Sequence, residues 1–132
     1  MVQYLELDDL LVAAESFLGR PAEVRDYGLL ESALARPQAT VFGEDAYRTI
    51  HEKAAALLDS VVNNHALVDG NKRLGWVALR LFYGFNGYTV SGSEDQKVTL
   101  VLDVATGELA EVTKIAHRLS TLCRTVTTPP CT

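Results

Sequence analysis

Apolar residues recur at helical spacing in six stretches of this chain. Leu7, Leu10, Leu11, Ala14, Phe17 and Leu18 form the first stripe, with the i, i+3, i+4, i+7 period of an amphipathic helix; Gly19 and Pro21 end it. A second helix is predicted from about Asp26 to Arg36, with Leu29, Leu30, Ala33 and Leu34 inward and Pro37 as its stop. The third, from about Ala46 to Asn64, repeats at Ile50, Ala54, Leu57, Leu58 and Val61. The fourth carries Leu74, Val77, Ala78, Leu81, Phe82 and Phe85 and closes on Asn86-Gly87. Ser93 to Gln96 reads as a capping box opening the fifth, with Val98, Val101, Leu102 and Ala105 inward. The sixth is expected from about Gly107 to Leu122, using Leu109, Val112, Ala116 and Leu119. Between the second and third helices, Gln38-Ala39-Thr40-Val41-Phe42-Gly43 has no helical period and is rich in β-formers. It reads as an exposed flap or short hairpin. Tyr88-Thr89-Val90 reads as a short extended piece. The pattern predicts a compact all-α bundle of six helices with a small β flap, one domain over residues 1–124, and a frayed tail over 125–132.

Composition narrows the function. At 132 residues the chain can bury a real core. The net charge of −5 argues against a general nucleic-acid binder, which needs a basic face. Cys123 and Cys131 stand in no metal spacing and are too few for a disulfide framework, so a cytoplasmic location is expected. Neither a signal peptide nor a membrane-spanning run is predicted, and no membrane partner follows.

The fourth helix departs from ordinary helix electrostatics. Asp69 reads as its N-cap with Gly70 just inside, and Lys72 and Arg73 fall in its first turn. The macrodipole opposes cations there by about 0.3–1 kcal/mol each. Free backbone N–H groups, a positive dipole end and two cations at one point describe an anion site, most simply one for phosphate. Gly70 would let backbone amides approach closely, and Asn71 could donate to a phosphate oxygen. Asp69 could also hold Mg²⁺ beside a polyphosphate. His65 enters from the end of the third helix, and an imidazole with an ordinary pKa of about 6.5 can accept a hydroxyl proton at neutral pH. Each of these residues also has a plainer reading: a helix-end histidine, a simple N-cap, a solvated charged turn. Their convergence on one turn favours phosphoryl chemistry. His51 and His117 stand alone and read as surface residues, while Trp76 and Tyr83, off the main stripe, read as packing residues. Neither a glycine-rich nucleotide loop, a zinc spacing nor a nucleophile elbow occurs.

The run His65-Ala66-Leu67-Val68-Asp69-Gly70-Asn71-Lys72-Arg73 resembles the motif of the Fic/Doc family, His-x-Phe-x-Asp/Glu-Gly/Ala-Asn-Gly/Lys-Arg, in its Doc (death-on-curing) form. The block from Arg25 to Gln38 and the helix from His51 to Asn64 are similar to the same family, so the resemblance covers most of residues 4–122. It departs at Leu67, where the family usually has Phe, and at Ala66, where Pro is frequent.

The resemblance implies a Fic fold and ATP with Mg²⁺ as the nucleotide. By position, His65 would be the general base, Asp69 the Mg²⁺ ligand, and Gly70, Asn71 and Lys72 the anion-binding turn. Arg73 would be a catalytic arginine holding a nucleotide phosphate. Gln38, Ala39, Thr40, Val41, Phe42 and Gly43 would form a flap that aligns the target by strand-like pairing. Family members that transfer AMP have Gly at the position of Lys72 and a second Arg at the position of Trp76. The Doc pattern instead implies phosphate transfer to a Ser/Thr hydroxyl, with elongation factor Tu as the family's target and a Phd-like antitoxin as partner. AMP transfer is the alternative reading, and a catalytically decayed partner-binding module a further one.

Overall fold

The computed structural model describes residues 1–126. Six helices build it: α1 (Leu7–Leu18), α2 (Tyr27–Ala35), α3 (Ile50–Asn63), α4 (Asn71–Phe85), α5 (Glu94–Thr106) and α6 (Val112–Leu122). Short strands form two antiparallel pairs, β1 (Thr40–Val41) with β2 (Glu44–Asp45) and β3 (Tyr88–Val90) with β4 (Cys123–Thr125). The fold is the expected all-α bundle with a small β flap.

Most of the local signals act as read. Gly19 closes α1 in the left-handed conformation and the Ser93–Gln96 capping box is formed in both directions; Asp26, read only as the approximate start of the second helix, is its N-cap through Gly28 N–H. Three boundaries move. The chain from Ala46 to Thr49 is not helical: Ala46 N–H closes the flap onto Ala39 O (2.8 Å), and α3 starts only where the Thr49 hydroxyl accepts from Glu52 N–H (3.0 Å). Gly107, expected to open the sixth helix, is instead the left-handed cap of α5 (φ 86°), so α6 begins at Val112. Thr125, assigned to the tail, pairs with Tyr88, and Val126 N–H bonds Gly87 O (2.8 Å). Cys131 and the rest of the expected tail lie outside the described residues.

The core centres on α3, buried from Lys53 to Leu58 and again over Ser60–Val62, with α4 and α6 packed against it. The crossing with α4 is close. A Cβ placed on Gly75 would stand 2.5 Å from Val62 Cγ2, so only glycine fits there without repacking. α5 presents a different face from the one expected. Leu100, Val101 and Val104 are buried, while Val98 and Leu102 remain 55% and 45% exposed. Apolar residues surround more than half of this helix, so periodicity alone does not choose its inner side. Tyr83, read as a packing residue off the main stripe, is fully buried. Its hydroxyl lies 2.8 Å from His51 Nδ1, and His51 is half-buried against Tyr83 and Tyr88 rather than on the surface. Burial holds the His51 imidazole below its ordinary pKa, and burial raises the free Cys123 thiol, partly offset by its bond to Tyr83.

Candidate active site

The loop from α3 to α4 is built from strained and pinned backbone. Asn64 ends α3, its N–H still bonded to Ser60 O (2.9 Å). His65 then adopts φ 53°, the left-handed region where a non-glycine residue is uncommon. This turn carries the imidazole out of the helical path, and the residue is exposed. Ala66 and Leu67 drop back into the core at 2% and 1% exposure. Their backbone pairs with the segment before α2. Arg25 and Asp26 N–H both donate to Ala66 O (2.7 and 3.2 Å), Val68 N–H donates to Glu23 O (3.0 Å), and Leu67 bridges Val24. The upstream block therefore holds the motif loop directly.

Asn71 has a use that its residue type did not disclose. Its Oδ1 accepts from Leu67 N–H (3.0 Å) and its Nδ2 donates to Leu67 O (2.9 Å), so the side chain clamps the loop across four residues. The side-chain amide is thereby engaged with backbone; what it offers an anion is its main-chain N–H.

The helix start also differs from expectation. Gly70, not Asp69, is the N-cap, at φ 90°, and no side chain caps the helix. A Cβ at Gly70 would meet the Phe17 ring at 3.0 Å. α1 thus backs the turn, and glycine is required both by conformation and by space. Among the described residues no side chain caps the first amides of α4, so the positive dipole end is left unanswered by them. Lys72 and Arg73 are exposed beside it, with the Arg73 guanidinium 5.2 Å from the Phe17 ring centroid. A cleft of about 430 Å³ brings together His65, Asp69, Gly70, Asn71, Lys72 and Arg73. Such a cleft can take a polyanion, with one imidazole at its edge and one exposed carboxylate.

The flap residues Gln38–Gly43 do not line that cleft. Gln38 ends a 3-10 turn (Arg36–Gln38), and the hairpin proper spans Thr40–Asp45, with Phe42 (φ 52°) and Gly43 (φ 80°) as its two-residue turn. Its anchors were not read from the sequence. The Arg36 guanidinium bonds Asp59 (2.7 Å), Ser60 (3.0 Å) and the Tyr47 hydroxyl (3.0 Å). Burial alone would lower this guanidinium's pKa, but its bonds to Asp59 and Tyr47 outweigh that and raise it. Lys53, only 2% exposed on α3, reaches Asp45 of β2 (3.0 Å) and the Tyr47 carbonyl. The only sequence signal for Lys53 was a lysine inside an apolar helical stripe. His117 is exposed, as expected.

A loop that delivers a histidine to an uncapped, cationic helix start defines a class. A profile of the Fic/DOC family matches residues 2–83, which span α1 through most of α4 and include the whole loop. The chain belongs to the Fic/DOC family. It is also similar to the curated protein Toxin Doc of Mycolicibacterium smegmatis, 46% identical over 122 residues that cover 91% of this chain and 93% of that protein. No helix among the described residues is long and apolar enough to cross a membrane.

Proposed function

We propose that this protein is a Doc-like toxin that moves a phosphoryl group from Mg-ATP to a Ser/Thr hydroxyl of a target protein. By resemblance to the family the target is elongation factor Tu, and a Phd-like antitoxin neutralises the toxin. The observation that carries the reading is the cleft in which His65 faces the uncapped start of α4 together with Lys72 and Arg73.

The residues present fit the nucleotide and its ion. Among the described residues no group of three metal-ligating side chains occurs. Asp69, exposed in the cleft, would be the carboxylate that meets Mg²⁺, with phosphate oxygens and water completing the shell, an arrangement Mg²⁺ favours. When bound, Mg-ATP supplies the phosphoryl group. The chain's own part is positioning and charge stabilisation, which dominate this type of transfer. His65 takes the proton of the target hydroxyl at an imidazole nitrogen. The amides of Asn71 to Arg73, with the two cations, answer the charge on the phosphates. The flap, an exposed hairpin whose outer edges are unpaired among the described residues, offers backbone for an extended segment of the target. Trp76 stands where AMP-transferring members have a second arginine, which supports phosphate transfer over AMP transfer.

The test is incubation with a bacterial lysate and ATP labelled separately at the α- and γ-phosphates. Label from the γ-position alone, abolished in a folded His65→Ala variant, is expected. Label from the α-position would make the protein an AMP transferase. No label from either, or equal label with His65→Ala, would refute the reading.

A further inference from the structure

α4 borders a second cleft, of about 260 Å³, between itself and α5. Lys72, Arg73, Trp76, Val98, Val101 and Leu102 line it, with Glu94 and Lys97 at its α5 side, and the first two also line the anion cleft, so the two clefts adjoin. Val98 and Leu102 are the α5 residues whose helical pattern called for burial and which the bundle leaves open. Trp76 lies five residues beyond Asn71, a rise of about 7.5 Å at 1.5 Å per residue. Its indole is half-buried, with Lys97 Nζ 5.9 Å from the ring centroid, and Lys97 pairs with Glu94 (3.4 Å) at the far end. A ligand that suits both cavities has a polyanionic end and a flat apolar end, separated by a short polar link. Nucleoside polyphosphates have that shape. An indole and aliphatic walls suit an aromatic base, which stacks on such side chains without needing hydrogen bonds.

We propose that the α4–α5 cleft is the base subsite of the nucleotide, with Trp76 as the stacking residue and Val98 and Leu102 as its walls. The proposal rests on reading the start of α4 as the phosphate site, and the experiment separates the two. Trp76 is the only tryptophan of the chain, so its emission reports on this cleft alone. The full chain is titrated with Mg-ATP and with inorganic magnesium triphosphate, by fluorescence and by calorimetry. Mg-ATP is expected to quench Trp76 and to bind at least about tenfold more tightly than triphosphate, while triphosphate binds without quenching. In Leu102→Glu and in Val98→Glu, both at exposed positions, ATP affinity should fall about tenfold towards that of triphosphate, and triphosphate binding should not change. Equal affinity for the two ligands, a silent Trp76, or Glu variants that bind ATP like wild type would overturn the base subsite while leaving the phosphate site standing. Failure of both ligands to bind would overturn the phosphate site and this proposal with it.

Discussion

Replacing Asn71 by alanine tests whether this side chain works as a clamp or as a phosphate donor. In the structure both polar atoms of its amide are bonded to Leu67, at 3.0 and 2.9 Å, in a half-buried setting. A net contribution of about 0.5–1.5 kcal/mol per hydrogen bond gives a loss of about 1–3 kcal/mol for Asn71→Ala. Leu67 N–H and C=O then lose their partner beneath the loop that carries His65, which places the loss towards the upper half of that range. For a chain of this length the melting temperature should fall roughly 4 °C per kcal/mol. Urea unfolding without nucleotide is the assay, with Lys72→Ala as control. Lys72 is exposed and its side chain makes no hydrogen bond among the described residues, so its removal should stay within about 0.5 kcal/mol. A side chain that only contacts phosphate would leave the apo-protein unchanged. If Asn71→Ala is as stable as Lys72→Ala, the clamp is refuted.

Three further predictions follow from other parts of the bundle. Gly75→Ala puts a methyl 2.5 Å from Val62 Cγ2, and overpacking of about 1–3 kcal/mol should appear in thermal melts; an unaltered melt would mean that α3 and α4 are further apart. His51 has its folded pKa lowered by burial, so the unfolded chain, near pKa 6.5, takes the proton first. Stability should therefore be level above about pH 6.5 and decline as pH falls below it towards the folded value. In His51→Gln that part of the slope should vanish, and identical slopes from pH 5 to 8 in urea titrations would rule the linkage out. Lys53→Met removes the ammonium that ties β2 to α3. Amide exchange at Thr40, Val41, Glu44 and Asp45 should accelerate while the interior of α3 keeps its protection, and an unchanged flap would show that Arg36 alone holds it.

How much of this could be read in advance differs from element to element. Caps with a single local mechanism were readable: Gly19 and the Ser93–Gln96 box act within four residues and owe nothing to the rest of the chain. That His65 and Asp69 to Arg73 line one cleft was readable for the same reason, since they are neighbours in sequence and a reversal of the chain suffices to bring them together. What depended on partners far along the chain was not readable. The inner face of α5 is chosen by α3 and α4 from a helix whose apolar residues spread over more than half of its circumference. Burial of His51 follows from α3 meeting α4, where its bonded partner Tyr83 is 32 positions away in sequence. Asn71 satisfied the residue type for a phosphate donor, yet the buried backbone of Leu67, beside it only in three dimensions, claims its amide. Pro37 ended α2 as expected, but the chain continued through it as a 3-10 turn because Arg36 is drawn onto Asp59 and Ser60.

In the proposed function a nucleotide's phosphates seat on the amino end of α4 within reach of His65. Amide and imidazole resonances followed through a titration with Mg-ATP test it most directly. The largest shifts are expected at the amides of Gly70 to Arg73, with the His65 ring moving in step and His117 still. Shifts gathered elsewhere, or none at ligand concentrations that saturate ordinary nucleotide sites, would contradict it.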